Sequence, residues 1–238
     1  MAVGLLQIIH LAEGRPRLVG EHVAWLDRAS RALFGRAYQP DIEALQRRLV
    51  ALAEREHYPS AVSGFVRVEI DEEGREQLIP LGTSLYAGYA LRSLRPTAIT
   101  IPYELPLQIA GSTAAEAAHE LARCVARRHE ADEALRINEE GICCSLGEAE
   151  LFALRGGELY TSFEPRTVEG RLLLQAAETL QIRWQVAPVR VAELGHVDEL
   201  FAVDYRGITA LASCDGHAFM SLRAERLAVA MERLATAR

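Results

Sequence analysis

Cys143-Cys144 followed at once by Ser145 is the densest run of nucleophile-type side chains in the sequence. Neighbouring strand residues face opposite ways, so one thiol belongs to a core and the other to an accessible face. A buried thiol is inert and an exposed one can react. No base stands beside Ser145 in sequence, and no Ser–His–Asp set assembles from spacing. His119-Glu120 begins like a zinc-protease helix, but the second histidine's place is taken by Arg123. His119, Cys124 and His129 recur every five residues, a rotation of about 140° per step on a helix, so they share no face and no metal set is expected. They read as ordinary helix residues. His10 ends an apolar stretch and could hold an anion when protonated, or be a satisfied strand-end histidine. Arg92 and Arg95 have the geometry to grip a carboxylate, or are simply solvated.

More informative is a residue type that is missing. All 26 basic residues are arginine and the sequence contains no lysine. No side chain can therefore offer a primary amine, and no Schiff base to a lysine can form in this chain. Arginine does not substitute, because its guanidinium stays protonated and is a poor nucleophile.

The elements that must position these groups read as α+β. Residues 3–10 form an apolar strand, and a turn at Glu13-Gly14-Arg15-Pro16 leads to a helix over 21–34 closed by Gly35. A second helix, 41–56, is capped by Asp41. Residues 63–70 alternate as a strand and turn at Asp71-Glu72-Glu73-Gly74 into 76–80; another strand covers 97–102. The aperiodic stretch 103–110, with prolines at 102 and 106, marks a domain boundary. Thr113-Ala114-Ala115-Glu116 opens a long helix to 129. A meander follows over 134–161, then a helix over 169–180, strands at 181–186 and 199–203, a hairpin at Asp215-Gly216 and a last helix over 221–235.

Half of the 238 residues are hydrophobic, a quarter are charged, and the net charge is −7. That excludes collagen-like, low-complexity and disulfide-scaffold classes and disfavours a nucleic-acid partner. No apolar run approaches the ~20 residues of a membrane span. The first twenty residues carry His10, Glu13, Arg15 and Arg17 and do not read as a secretory signal. Four cysteines without framework spacing point to a reducing cytoplasm.

The second half, with Ala131-Asp132-Glu133-Ala134-Leu135-Arg136-Ile137-Asn138, then Glu150-Leu151-Phe152-Ala153-Leu154, Gly156-Gly157-Glu158-Leu159-Tyr160-Thr161 and Val197-Asp198-Glu199-Leu200-Phe201, resembles the class IV PLP-dependent enzymes. These are the branched-chain and D-amino-acid aminotransferases and aminodeoxychorismate lyase. The resemblance implies two domains, 1–107 a small α/β sandwich and 108–238 a barrel-like domain, with a ligand cleft between them and subunits paired as homodimers.

Carried over position by position, the resemblance puts the family's Schiff-base lysine on Gly111, or on Ser112 one residue later. The carboxylate partner of the pyridine nitrogen falls on Ser145, and the phosphate-clasping arginine on His10. The asparagine after the carboxylate becomes Glu150. The phosphate-binding backbone turn maps to Thr167, Val168 and Glu169, and the hydroxyl or amide near the phosphate to Asp204-Tyr205. His10, Arg92, Gly111, Cys144, Ser145, Thr167, Val168, Glu169 and Tyr205 are thus the candidate cleft residues, with Glu150, Glu169 and Tyr205 expected to fill the space.

Three readings follow. The first is a degenerate family member with no cofactor, binding a small anionic metabolite or serving in an assembly. The second is an enzyme with a PLP-independent mechanism, for which His10, Cys144, Ser145 and Tyr205 are the residues to test. The third is a residual aminotransferase or lyase holding PLP without a covalent bond.

Overall fold

A computed structural model describes residues 3–105 and 111–237. The chain forms two compact units, one of Met1–Gly88, Gly111–Ala114 and Ala235–Arg238, the other of Tyr89–Ala110 and Ala115–Leu234. The expected boundary at 107 falls outside the described residues.

The first unit is built on β1 (Leu5–Ala12), in which every residue is buried. Its sheet runs β2 (Arg15–Pro16), β1, β3 (Gly64–Ile70), β4 (Glu76–Thr83). Helix α1 (Val19–Phe34) buries Val19, His22, Val23, Leu26, Ala29 and Ser30, the three-and-four spacing of one helix face. Gly35 closes it at φ 68°, as glycine does at little steric cost. Helix α2 (Ile42–Arg55) buries Leu45, Leu49, Leu52 and Ala53, and the Asp41 carboxylate caps it by accepting from Ala44 N–H at 2.9 Å. In the β3–β4 turn, Asp71 Oδ1 accepts from the N–H groups of Glu73 and Arg75.

Residues 111–113 pair with the start of β1. Leu6 N–H donates to the Gly111 carbonyl at 2.6 Å, Thr113 N–H donates to the Gly4 carbonyl at 3.0 Å, and Gly4 N–H donates to Thr113 Oγ1 at 3.1 Å. Gly111 has φ +70°, a region that disfavours side chains. A Cβ built there would run into the Leu6 carbonyl oxygen and stand 3.2 Å from Gln7 Nε2.

The second unit holds one curled sheet of eleven strands. It takes in β5 (Ala90–Leu91), β6 (Thr97–Pro102), β7 (Glu133–Ile137), β8 (Cys143–Leu146), β9 (Ala149–Arg155), β10 (Glu158–Thr161), β11 (Trp184–Val186), β12 (Glu199–Asp204), β13 (Gly207–Ala210), β14 (Ser213–Cys214) and β15 (His217–Ala218). The main path is β15-β14-β6-β7-β8-β9-β12-β13-β5, with β10 and β11 branching from β9. Helices α3 (Thr113–Arg128), α4 (Val168–Thr179) and α5 (Leu222–Thr236) complete the chain.

One face of the second sheet is a packed core that includes Leu135, Cys143, Leu146, Ala149, Leu151, Ala153, Leu200 and Ala202. On the other, Phe152 stacks on Phe201 at 6.0 Å. The mixed α+β architecture expected from sequence, a small sheet and a separate curled one, is what the chain adopts. Strands β5 and β13, absent from the elements expected from sequence, form a parallel pair that joins residues far apart in the chain. Among the described residues no helix is long and apolar enough to cross a membrane.

Replacing Gly111 by alanine adds a collision to the positive-φ penalty. Gly141, at φ +69° with nothing within 4 Å of its Cβ position, isolates the conformational part. We expect Gly141→Ala to cost about 1 kcal/mol in denaturant unfolding and Gly111→Ala distinctly more, the difference reporting the Leu6 contact.

Candidate functional site

Strand pairing places the second unit's polar groups in a row. Arg136 on β7 lies opposite Ser145 on β8, and Ser145 opposite Glu150 on β9. Directly opposed residues on antiparallel strands project to the same face, so a cation, a hydroxyl and a carboxylate stand side by side across three strands. Between Ile137↔Cys143 and Arg136↔Ser145 the register shifts, leaving Cys144 as the extra residue of a β-bulge. Cys143 is fully buried, and burial pushes its thiol up to about 12. Cys144 is half-buried, its Sγ donates to the Ile142 carbonyl, and burial also raises its pKa. Neither is a ready thiolate.

Glu150 does not face an open space. Its carboxylate accepts from Arg166 N–H, from Thr167 N–H at 3.0 Å and from Thr167 Oγ1 at 2.9 Å. Thr167 Oγ1 in turn accepts from Gly170 N–H at 2.9 Å as the N-cap of α4. A Cβ on Gly170 would run into Glu150 Oε2, so glycine there lets the carboxylate approach. The chain's own carboxylate thus takes up N–H groups at a helix start, the donors that hold anions elsewhere. Val168 and Glu169 follow in the first turn, both buried.

Glu169 is 4% exposed, and its carboxyl is pushed up to about 8, first by burial, then by the charges of Asp204 and Glu150. At neutral pH it is mostly protonated. Asp204 is buried and engages Arg206 through both carboxylate oxygens, with Arg206 Nε to Oδ2 at 2.9 Å. Tyr205 is half-buried beneath the Arg206 guanidinium, 5.2 Å from ring centroid to Cζ. Of the three residues expected to fill a cleft, Glu150 is hydrogen-bonded to the residues that lead into α4, Glu169 is buried in its first turn, and Tyr205 stacks on an arginine.

Around Arg136 stands a second group of side chains. The Tyr103 hydroxyl and His119 Nδ1 share a hydrogen bond of 2.7 Å, with their rings edge to face. Burial, then the positive charges of Arg136 and Arg123, lowers His119 to about 4, so it is neutral. Tyr103 is raised to about 12, chiefly by burial. In sequence His119 reads as an ordinary helix residue, and neither Tyr103 nor Arg136 stands out. Only the fold joins positions 103, 119 and 136.

The remaining candidates are dispersed. His10 is fully buried in β1, its Nε2 2.6 Å from Ser63 Oγ and its ring edge-on to Phe65. Gly111 lies in the same unit, against β1. Arg92 is half-buried beside β13, with Nη1 3.4 Å from Thr209 Oγ1. A cavity of about 900 Å3 in the first unit, lined in part by Arg15, Arg17, Gln46 and Arg47, contains none of the expected residues. Among the described residues no three His, Cys, Asp or Glu side chains gather as metal ligands.

A model of the Amino-transferase class IV family matches residues 4–204, and the chain belongs to that family. Its fold is similar to a branched-chain aminotransferase of Thermoproteus uzoniensis, solved with norvaline (18% identity, 98% of this chain and 86% of that one, TM-score 0.79). It is also similar to a Legionella pneumophila protein described as a 4-amino-4-deoxychorismate lyase (18% identity, 91% of this chain and 85% of that one, TM-score 0.74). A third neighbour is a hypothetical aminotransferase of Mycobacterium tuberculosis with alpha-ketoglutarate and PMP bound (17% identity, 99% and 90%, TM-score 0.77), also solved in a PLP-bound form. No curated protein matches the sequence.

These comparisons correct one expectation. The absence of lysine suggested that no cofactor goes with this chain, whereas the family and its PLP- and PMP-bound neighbours point to dependence on pyridoxal phosphate. The missing amine bears on how such a group is held, and it does not remove the family's cofactor from consideration. As a covalently anchored group, pyridoxal phosphate does not fit the residues present. The sequence has no lysine, and position 111 has no room for a side chain.

Glu169 also makes stability depend on pH. Its folded pKa, about 8, lies above its ordinary value of 4.5, so the folded state binds more protons than the unfolded state between those values. Stability therefore falls as pH rises from about 4.5 to about 8. Glu169→Gln should be more stable than wild type at pH 8 and lose that part of the slope, as read by denaturant midpoints across pH 5–8.

Proposed function

We propose that this chain keeps the class IV aminotransferase fold without lysine-imine catalysis, and that it binds a small anionic metabolite. The observation that carries the first part is the closed, positive-φ glycine at position 111 in a chain without lysine. Transamination and lyase chemistry on this cofactor run through a lysine that forms the imine and moves the proton. No other side chain here can form that bond. For the second part, Arg136 offers a cation without a carboxylate partner among the described residues. The four cysteines are free thiols, in keeping with a cytoplasmic setting.

A second reading, in which a B6 vitamer is held without a covalent bond, is favoured by the neighbour described with PMP.

Borohydride reduction of the protein with pyridoxal phosphate, followed by peptide mass mapping, tests the proposal. The expected result is no adduct on any side chain, with labelling confined to the amino-terminal amine, and no exchange of amino groups between amino acids and 2-oxo acids. A side-chain adduct or steady turnover would overturn it. Retention of pyridoxamine phosphate in equilibrium dialysis, without turnover, would favour the second reading.

A further inference from the structure

We infer that Arg136, with Ser145, forms a binding site for a small organic monocarboxylate in the second unit. This rests on the reading above, that the chain binds a small anion, and it names the residue and the ligand class.

Three arginines meet in this region of the second unit, and two of them are neutralised. Arg123 pairs with Glu120 at 2.7 Å and with Glu133 at 3.0 Å. Arg206 pairs with Asp204. Arg136 differs. Among the described residues its one side-chain hydrogen bond is Nε to Ser145 Oγ at 3.2 Å, and no carboxylate lies in ion-pair range. Residues 106–110, Pro-Leu-Gln-Ile-Ala, include no acid in their sequence either. A half-buried charge in the middle of a sheet is costly to leave uncompensated. Glu150 flanks Ser145 on the next strand, but its oxygens are taken by Arg166 and Thr167.

Ligand class follows from donor geometry and charge. A guanidinium has five N–H donors, and Ser145 occupies the one on Nε. The end formed by Nη1 and Nη2 keeps two parallel donors, the spacing that grips both oxygens of a carboxylate. The neighbours that feel the Arg136 charge, Tyr103, His119 and Cys144, are neutral at pH 7; the nearby acids are Glu104, whose charge reaches Cys144, and Glu133, whose charge reaches Tyr103 and which is paired with Arg123. The three neutral side chains can line the site without repelling an anion, but they add no second positive charge. One uncompensated cation suits a monoanion, and a phosphate dianion would be left with net negative charge in a half-buried site.

The test is thermal shift and calorimetric titration with acetate, pyruvate and benzoate, against inorganic phosphate and chloride at matched ionic strength. Wild type, Arg136→Gln and Arg136→Lys are compared. The proposal expects at least one monocarboxylate to bind wild type with phosphate no better than chloride, Arg136→Gln to weaken that binding about tenfold or more, and Arg136→Lys to fall between. Should Arg136→Gln fail to fold, Ser145→Ala serves in its place, with an expected loss of severalfold. Monocarboxylate binding unaffected by Arg136→Gln would overturn this site while leaving the anion reading intact. Phosphate binding as tightly as the carboxylates would overturn the ligand class. If no anion binds wild type, this inference and the anion reading both fall, while the borohydride result still stands on its own.

Discussion

A single backbone approach constrains what this fold can do. Gly111 sits at positive φ with its carbonyl bonded to Leu6 N–H, and the space a side chain would need is occupied by the Leu6 carbonyl oxygen. The same short pairing, continued through Ser112 and Thr113, ties the entry to α3 onto the fully buried strand β1. Position 111 is therefore a structural joint. Its closure and the absence of lysine are independent facts that point the same way: even a basic residue placed here would have nowhere to go.

The second unit tells a related story in charges. Where a helix start could receive an anion, Glu150 supplies one from within the chain. Burial then makes the neighbouring carboxyl, Glu169, hold its proton, which spares the cluster a third negative charge beside Glu150 and Asp204. Asp204 is balanced by Arg206, and Glu133 with Glu120 by Arg123 and Arg127. Beside these pairs Arg136 has no carboxylate partner among the described residues.

Much of the fold was legible in the sequence because it rests on local signals. Asp41 caps α2 and Gly35 closes α1 as their types require. The meander from β7 to β10 follows its alternation and its glycine turns. The parallel pair of β5 and β13 was invisible because strands of two and four residues leave no periodic trace. The chemistry was harder to see. The missing amine could be counted, but Arg136 in Leu135-Arg136-Ile137 looks like any alternating strand position. What singles it out is cross-strand register, and that depends on a bulge at Cys144 that no local pattern announces. Tyr103 meets His119 only because the residue that follows β6 packs against α3. The expectation of no cofactor went astray for another reason: it inferred the absence of a group from the absence of one way of holding it.

The most direct measurement is to install the amine. Gly111→Lys gives the chain its only lysine, at the position the family resemblance assigns, and its unfolding midpoint and absorbance with pyridoxal phosphate can be read together. If position 111 is a closed joint, the variant loses stability relative to wild type and shows no imine band in its folded fraction. A variant as stable as wild type that develops the band and gives a borohydride-stable adduct at residue 111 would contradict the account.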